Sequence, residues 1–201
     1  MKIGRLLLRL VVGGLFVGHG TQKLFGWFGG NGLDATAQGF EQLGLRPGRQ
    51  NAIAAGAAEA GGGTLLALGL ATPLAASVLI ATMFTAIHRV HAKNGPWAGD
   101  GGYEYNLVLI AAALALAEVG PGALSLDGAS GRERSGTGWA LFALAAAAAG
   151  AAGSYALAEA QPAPAVEAGS EQAAAGPQAE GGDETATAEQ TEQAPNVEGA
   201  S

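Results

Sequence analysis

The chain contains no cysteine, which excludes disulfides, thiolate metal sites and thiol redox chemistry, so any redox role falls to a bound cofactor or a partner. Charge is also scarce. Lys, Arg, Asp and Glu make up 13% of the 201 residues, against ~25% in soluble domains, while 49% are hydrophobic. That imbalance points to a membrane. Basic residues are missing altogether from residues 161–201, which hold eight acidic side chains. The net charge of −7 is therefore a property of the tail, and the rest of the chain carries ten basic and nine acidic groups. With no basic stripe to neutralise a phosphate backbone, the sequence argues against a nucleic-acid partner. P-loop glycines, a nucleophile elbow, H-E-x-x-H and CxxC are absent as well.

What the sequence does have is apolar helix. A bilayer core takes ~20 predominantly apolar residues per span. Four segments fit: Leu6 to Phe28, Asn51 to Ala71, Pro73 to His91 and the shorter Tyr105 to Val119. Thr137 to Ala158 is uncharged for 22 residues but mostly alanine, and is expected as a fifth span. The start, "MKIGRLLLRL", has a basic beginning like a signal peptide, but Arg9 interrupts it and no A-x-A cleavage pattern follows, so it reads as a retained helix. Pro73 suits the first turn of a helix, which makes the second and third spans a tight antiparallel hairpin. Beyond Glu159 the composition is Ala, Gly, Pro, Gln, Glu and Thr with no aromatic residue, and disorder is expected. Trp27, Phe28, Trp97, Tyr103 and Tyr105 gather at one membrane face, as an interfacial belt requires.

Within these spans the polar residues need an account, because a charge inside a bilayer costs ~2.5–3.5 kcal/mol even on the gentler insertion scales. Counted from the shared membrane face, His19 and Glu59 each lie about 12–14 Å along their helices. Their matching depth makes them candidates for a pair. Lys23 is one turn from His19, and Gln22 lies beside them, so the first helix presents a polar stripe toward Glu59. Gly56, Gly61, Gly62 and Gly63 around Glu59 allow a neighbouring backbone to approach closely. A purely structural alternative has Lys23 snorkelling to the headgroups and His19 and Gln22 making helix-to-helix hydrogen bonds. "HRVH" places His88 and His91 at i and i+3, a chelating spacing, but without a close third ligand no metal site is assigned. Glu104 opens the fourth helix between two tyrosines, on the same face as His88 and Lys23.

"GHGTQKLFGWFGG" (18–30), "AEAGGG" (58–63), "HAKNGPWAGDGGYEYN" (91–106) and "GPGALSLDG" (120–128), in that order, resemble the DoxX family of small bacterial membrane proteins over roughly residues 4–128. The resemblance implies a transmembrane four-helix bundle. It also implies that His19, Gln22, Lys23, Glu59, Asn94 and Glu104 occupy the family's characteristic polar positions. Some relatives are subunits of thiosulfate:quinone oxidoreductase, and others are linked to detoxification of reactive oxygen and sulfur species. The Ala-rich segment after residue 136 and the acidic tail lie outside that pattern.

The expectations are therefore an all-α membrane protein: a four-helix bundle over residues 4–128, a loop over 129–136, a fifth helix over 137–158 and a disordered tail over 159–201. Basic residues flank both faces equally, five on each side. Those at the first helix and the short hairpin loop favour a cytoplasmic amino terminus in a bacterial inner membrane. The functional expectation is a redox-associated protein in which His19, Lys23, Glu59 and Glu104 carry the chemistry and Gln22, Asn94 and His88 contact the bound group. A quinone is the cofactor the resemblance suggests, with electrons from a partner subunit. A non-catalytic scaffold and a small proton-coupled transporter are the alternatives.

Overall fold

A computed structural model describes residues 3–161, and they form helices joined by turns and loops, with no strand among the described residues. Helix α1 spans Ile3–Phe25, α2 Gly32–Gln42, α3 Gly48–Leu68, α4 Thr72–Ala86, α5 Glu104–Val119, α6 Leu126–Ala129 and α7 Thr137–Glu159. Helix α4 runs on through a π turn, Ile87–His91, and a 3-10 turn, Ala92–Asn94. The tail expected to be disordered lies, from residue 162 onward, outside the described residues.

Three helices are long and apolar enough to cross a membrane: Ile3–Phe25, the continuous Thr72–Asn94 and Thr137–Glu159. The alanine-rich fifth segment is among them. Helix α3 is long enough but carries Glu59 among glycines and alanines, and α5 has only 16 residues. Both pack against other long helices, α3 on α1 and α4, and α5 on α1, α4 and α7. Helix α2, an amphipathic segment between glycine-rich turns, was not anticipated and packs on α1 and α3.

Helices α1 and α3 touch backbone to backbone. A Cβ on Gly13 would sit 2.6 Å from the Gly63 carbonyl oxygen, and one on Gly20 would sit 2.5 Å from the Gly56 oxygen. The two contacts are seven residues apart on each helix and run in opposite directions, so the helices are antiparallel with a fixed register. Such closeness lets the backbones themselves supply the packing contact, the main attraction left when lipid is as apolar as the side chains. The opposite face of α1 leaves Leu7, Val11 and Leu15 exposed, as a lipid-facing surface would be. Beyond it, Phe16, Leu66, Leu79 and Leu116 are fully buried in a core shared by α1, α3, α4 and α5. A second core is built from small residues. Ala143 and Ala147 of α7 pack against Ala76 and Ile80 of α4 and Ala113 and Ala117 of α5.

The hairpin between α3 and α4 is confirmed but takes three residues, Gly69–Ala71. Gly69 closes α3 with φ +64°, a left-handed conformation that favours glycine, and Pro73 stands in the first turn of α4.

At this end of the molecule Arg9, 3% exposed, donates to three carbonyls: Ala67 (2.9 Å), Pro121 (2.6 Å) and Leu124 (2.5 Å). Arg5 donates to the Val119 carbonyl at 2.8 Å. The segment "GPGALSLDG" thus has a physical role, because its turn presents carbonyls that satisfy a guanidinium buried at the end of the bundle.

Gly63→Val should lower the thermal midpoint in detergent, by about 1–3 kcal/mol of overpacking, while Gly18→Ala, where a Cβ meets nothing within 4 Å, should be silent. Arg9→Lys should destabilise as well, since one ammonium cannot reproduce the fork that reaches three carbonyls, and helix content against temperature is the readout.

Candidate functional site

Gly63 packs against Phe16 and Val17 and Gly20 against Ala60, so the register of α1 and α3 sets Glu59 level with the turn of α1 that holds His19 and Gly20. Lys23 lies four residues beyond His19, ~6 Å of rise. Helical side chains lean toward their own amino terminus. In an antiparallel pair Lys23 therefore leans down and Glu59 leans up, and they meet: Lys23 Nζ donates to Glu59 Oε2 at 2.5 Å. The Glu59 side chain is 5% exposed and that of Lys23 26%, so the pair has little water to screen it. His19 lies close to the level of Glu59 and makes no hydrogen bond among the described residues. The partner of the buried carboxylate is thus Lys23, where depth alone had pointed to His19. Depth fixes level, but the direction of lean decides which side chain arrives.

The ion pair stands in the wall of a half-open cleft of about 760 Å³, formed by α1, α2, α3, α4, α5 and α7 and the loop after the π turn. Most of its lining is apolar, and the residues that make the space are small, such as Ala54, Ala55 and Ala58 of α3 and Ala146, Gly150 and Ala151 of α7. The hydroxyls on α4 are already spent locally. Ser77, Thr82 and Thr85 donate to carbonyls of their own helix, Leu74, Leu79 and Ala81. Asn106 is 6% exposed and directs its amide toward Met83 Sδ at 3.3 Å. The ionisable groups on the lining are His19, Lys23, Glu59, Arg89, His91 and Tyr105.

The other expected residues are placed elsewhere. Gln22 donates to the Phe28 carbonyl (3.3 Å) and secures the 3-10 turn Trp27–Gly29, which leaves Trp27 and Phe28 exposed at the end of α1. Asn94 donates to the Gly101 carbonyl at 3.1 Å, and His91 Nδ1 approaches the same oxygen at 2.7 Å. Glu104 accepts from the Ala98 amide (3.0 Å), while its own amide donates to the Pro96 carbonyl (2.8 Å). Asn94 and Glu104 therefore fold the loop between α4 and α5 into a compact cap, and neither lines the cleft. His88 is exposed and stacks on Tyr155 of α7, ring centroids 4.7 Å apart.

The π turn explains why His88 and His91 part company. In an α-helix i and i+3 share a face, but a π turn advances less per residue and splays them. His88 goes to the outside of α7, while Arg89 and His91 face the cleft. Arg89 and Asn106 are polar lining residues that sequence reasoning did not single out, and His91 drew notice only for its spacing from His88. A π turn has no composition signal, so only the mixed polarity of "HRVH" hinted at it.

Comparison with known proteins agrees with this architecture. The sequence pattern of the DoxX family matches residues 4–92. A protein of Bacillus subtilis (strain 168) named "Putative oxidoreductase CatD" is 36% identical over 126 residues, which cover 63% of this chain and 86% of the relative. No solved structure matches. With its glycine-paired first helices and its buried Lys23–Glu59 pair inside the matched region, the chain belongs to the DoxX family of membrane proteins.

Proposed function

We propose that this protein is a redox-associated component of the bacterial inner membrane, with its amino terminus in the cytoplasm, and that its cleft holds a quinone or a similar lipophilic acceptor. The observation that carries the reading is a buried, hydrogen-bonded ion pair set in the wall of a mostly apolar cleft of about 760 Å³ that lies among membrane helices. The dimensions and chemistry fit such a group: ligand sites are typically ~300–1,000 Å³, largely apolar, with a few convergent polar groups. The name of the Bacillus subtilis relative, an oxidoreductase, is in keeping with it.

A bound quinone supplies two-electron, two-proton redox chemistry. Lys23 provides a donor and positive charge, fixed in place by Glu59 so that little ordering is left to do on binding. His19 sits at nearly the same level with its ring making no hydrogen bond among the described residues, and histidine is the side chain suited to exchanging protons near neutral pH. Electrons come from a partner subunit. Asn94 and Glu104 act indirectly by folding the loop that borders it.

The pair also ties α1 to α3, so a scaffold that merely uses Lys23 and Glu59 as a clamp is the competing reading. The two separate on stability and binding measured together. Glu59→Gln or Lys23→Met alone should cost about 3 kcal/mol, at the low end for breaking a buried pair because Lys23 is partly exposed, and the double variant with both replaced by Met should cost less than the sum. Thermal unfolding in detergent measures this cycle. In phosphatidylcholine nanodiscs, Lys23→Met should bind 1,4-naphthoquinone at least about tenfold more weakly than the parent protein. Folded variants with unchanged quinone binding would leave only the clamp.

A further inference from the structure

Arg89 is the cation in the cleft that has no carboxylate. Among the described residues the ion pairs are Lys23–Glu59, Arg46–Glu41 and Arg49–Asp34, and Glu104 is engaged by the Ala98 amide. Arg89 Nε is shielded from solvent and has no hydrogen-bond acceptor among the described residues. A buried donor left unpaired is a recurrent cost to a fold, and here it borders a cavity large enough to bring an acceptor to it. With Lys23 and Glu59 cancelling one another, Arg89 leaves the cleft with a net positive charge.

Its position is imposed from two sides. The Arg89 guanidinium carbon lies 5.0 Å from the ring centroid of Tyr155, a cation–π contact from α7, and Tyr155 Oη donates to the Phe84 carbonyl of α4 at 3.2 Å. His88 packs on that same ring at 4.7 Å. Arg89 Nη1 also lies near Gly44, just past the end of α2, where it would stand 3.8 Å from a Cβ at that position. Helix α7 lies outside the residues 4–92 that the DoxX pattern matches, yet it supplies both a wall of the cleft and the ring that aims its unpaired guanidinium.

We propose that Arg89 is the head-group anchor of the cleft, positioned by Tyr155, and that together they select a ligand whose apolar body carries an anionic head. The proposal rests on the cleft being a ligand site, and it assigns to the appended helix the selection of what enters. Arginine suits the task because its planar fork pairs with oxyanions in two bonds and stacks on an aromatic face at the same time.

Two matched probe pairs test it in phosphatidylcholine nanodiscs by titration calorimetry: octanoate against octanamide, and 2-hydroxy-1,4-naphthoquinone, ionised at neutral pH, against 1,4-naphthoquinone. The parent protein should prefer the anionic member. Arg89→Gln and Tyr155→Leu should each reduce that preference about tenfold while leaving the neutral member's affinity unchanged, and Arg89→Lys should keep part of it. Tyr155→Phe, which retains the ring and loses only the bond to Phe84, should keep most of it. A merely structural role would move both members of a pair together. Absence of any anionic preference, absence of binding by all four probes, or a preference that survives Arg89→Gln would overturn the anchor. If the octanoate pair behaves as expected and neither naphthoquinone binds, the anchor stands and the quinone reading falls; if the naphthoquinones bind with no dependence on Arg89, the reverse holds.

Discussion

The close approach of α1 and α3 is the constraint on which the rest of this molecule depends. Two glycines on each helix, Gly13 and Gly20 against Gly63 and Gly56, bring backbone onto backbone and leave no freedom of register. That register, with the lean of helical side chains toward their amino termini, determines that Glu59 meets Lys23 and that the pair is buried. A slip of one turn would separate the two charges within a low-dielectric interior, where an unpaired ion is far costlier than a paired one. Packing and electrostatics thus specify the same arrangement, and each guards against the errors the other would permit.

Small residues have a second consequence. Where they face a partner helix they permit contact, as at Gly20 and Gly56, and where they face no partner they leave volume. Ala54, Ala55 and Ala58 of α3 and Ala146, Gly150 and Ala151 of α7 look into the same space, and the cleft is what remains between helices whose other faces are tightly packed. The alanine-rich α7 uses its small side chains on two faces: Ala143 and Ala147 seat it on α4 and α5, and Ala146 and Gly150 line the cleft.

How far the sequence foretold this follows from the range of the forces involved. The helices were legible because backbone hydrogen bonding in an apolar setting admits little else, while their boundaries shifted by up to three residues, as at Phe25 instead of Phe28 and at Leu68 instead of Ala71. The prominence of Lys23 and Glu59 was legible from the cost of burying charge, which any sequence exposes. Which residue Glu59 would bond was not, because it turns on interhelical register, a sum of contacts between residues some forty positions apart. Glu104, Asn94 and Gln22 have the residue types of a site and the geometry of turn fasteners. Sequence shows the type alone. Helix α2 escaped notice because its glycine-rich flanks and mixed polarity resemble a loop, and the π turn because nothing in composition marks it.

The two ends of the bundle solve opposite problems. At the α3–α4 hairpin, Arg5 and Arg9 are satisfied by carbonyls of Ala67, Val119, Pro121 and Leu124, so that the charges cross-brace α1, α3 and the turn after α5. At the other end Arg89 is held over a ring, but its Nε finds no acceptor among the described residues. Guanidinium groups are the same in both places, and the difference lies in whether carbonyls have been turned toward them. A turn rich in glycine and proline does that work at one end. At the other, α4 continues through its π turn with its carbonyls occupied within the helix, and the loop that follows spends its own on Asn94, His91 and the Glu104 amide. The cleft thus keeps an unspent hydrogen-bond donor because the local backbone has none of its acceptors to give, and the rigid far end lets the bundle tolerate it.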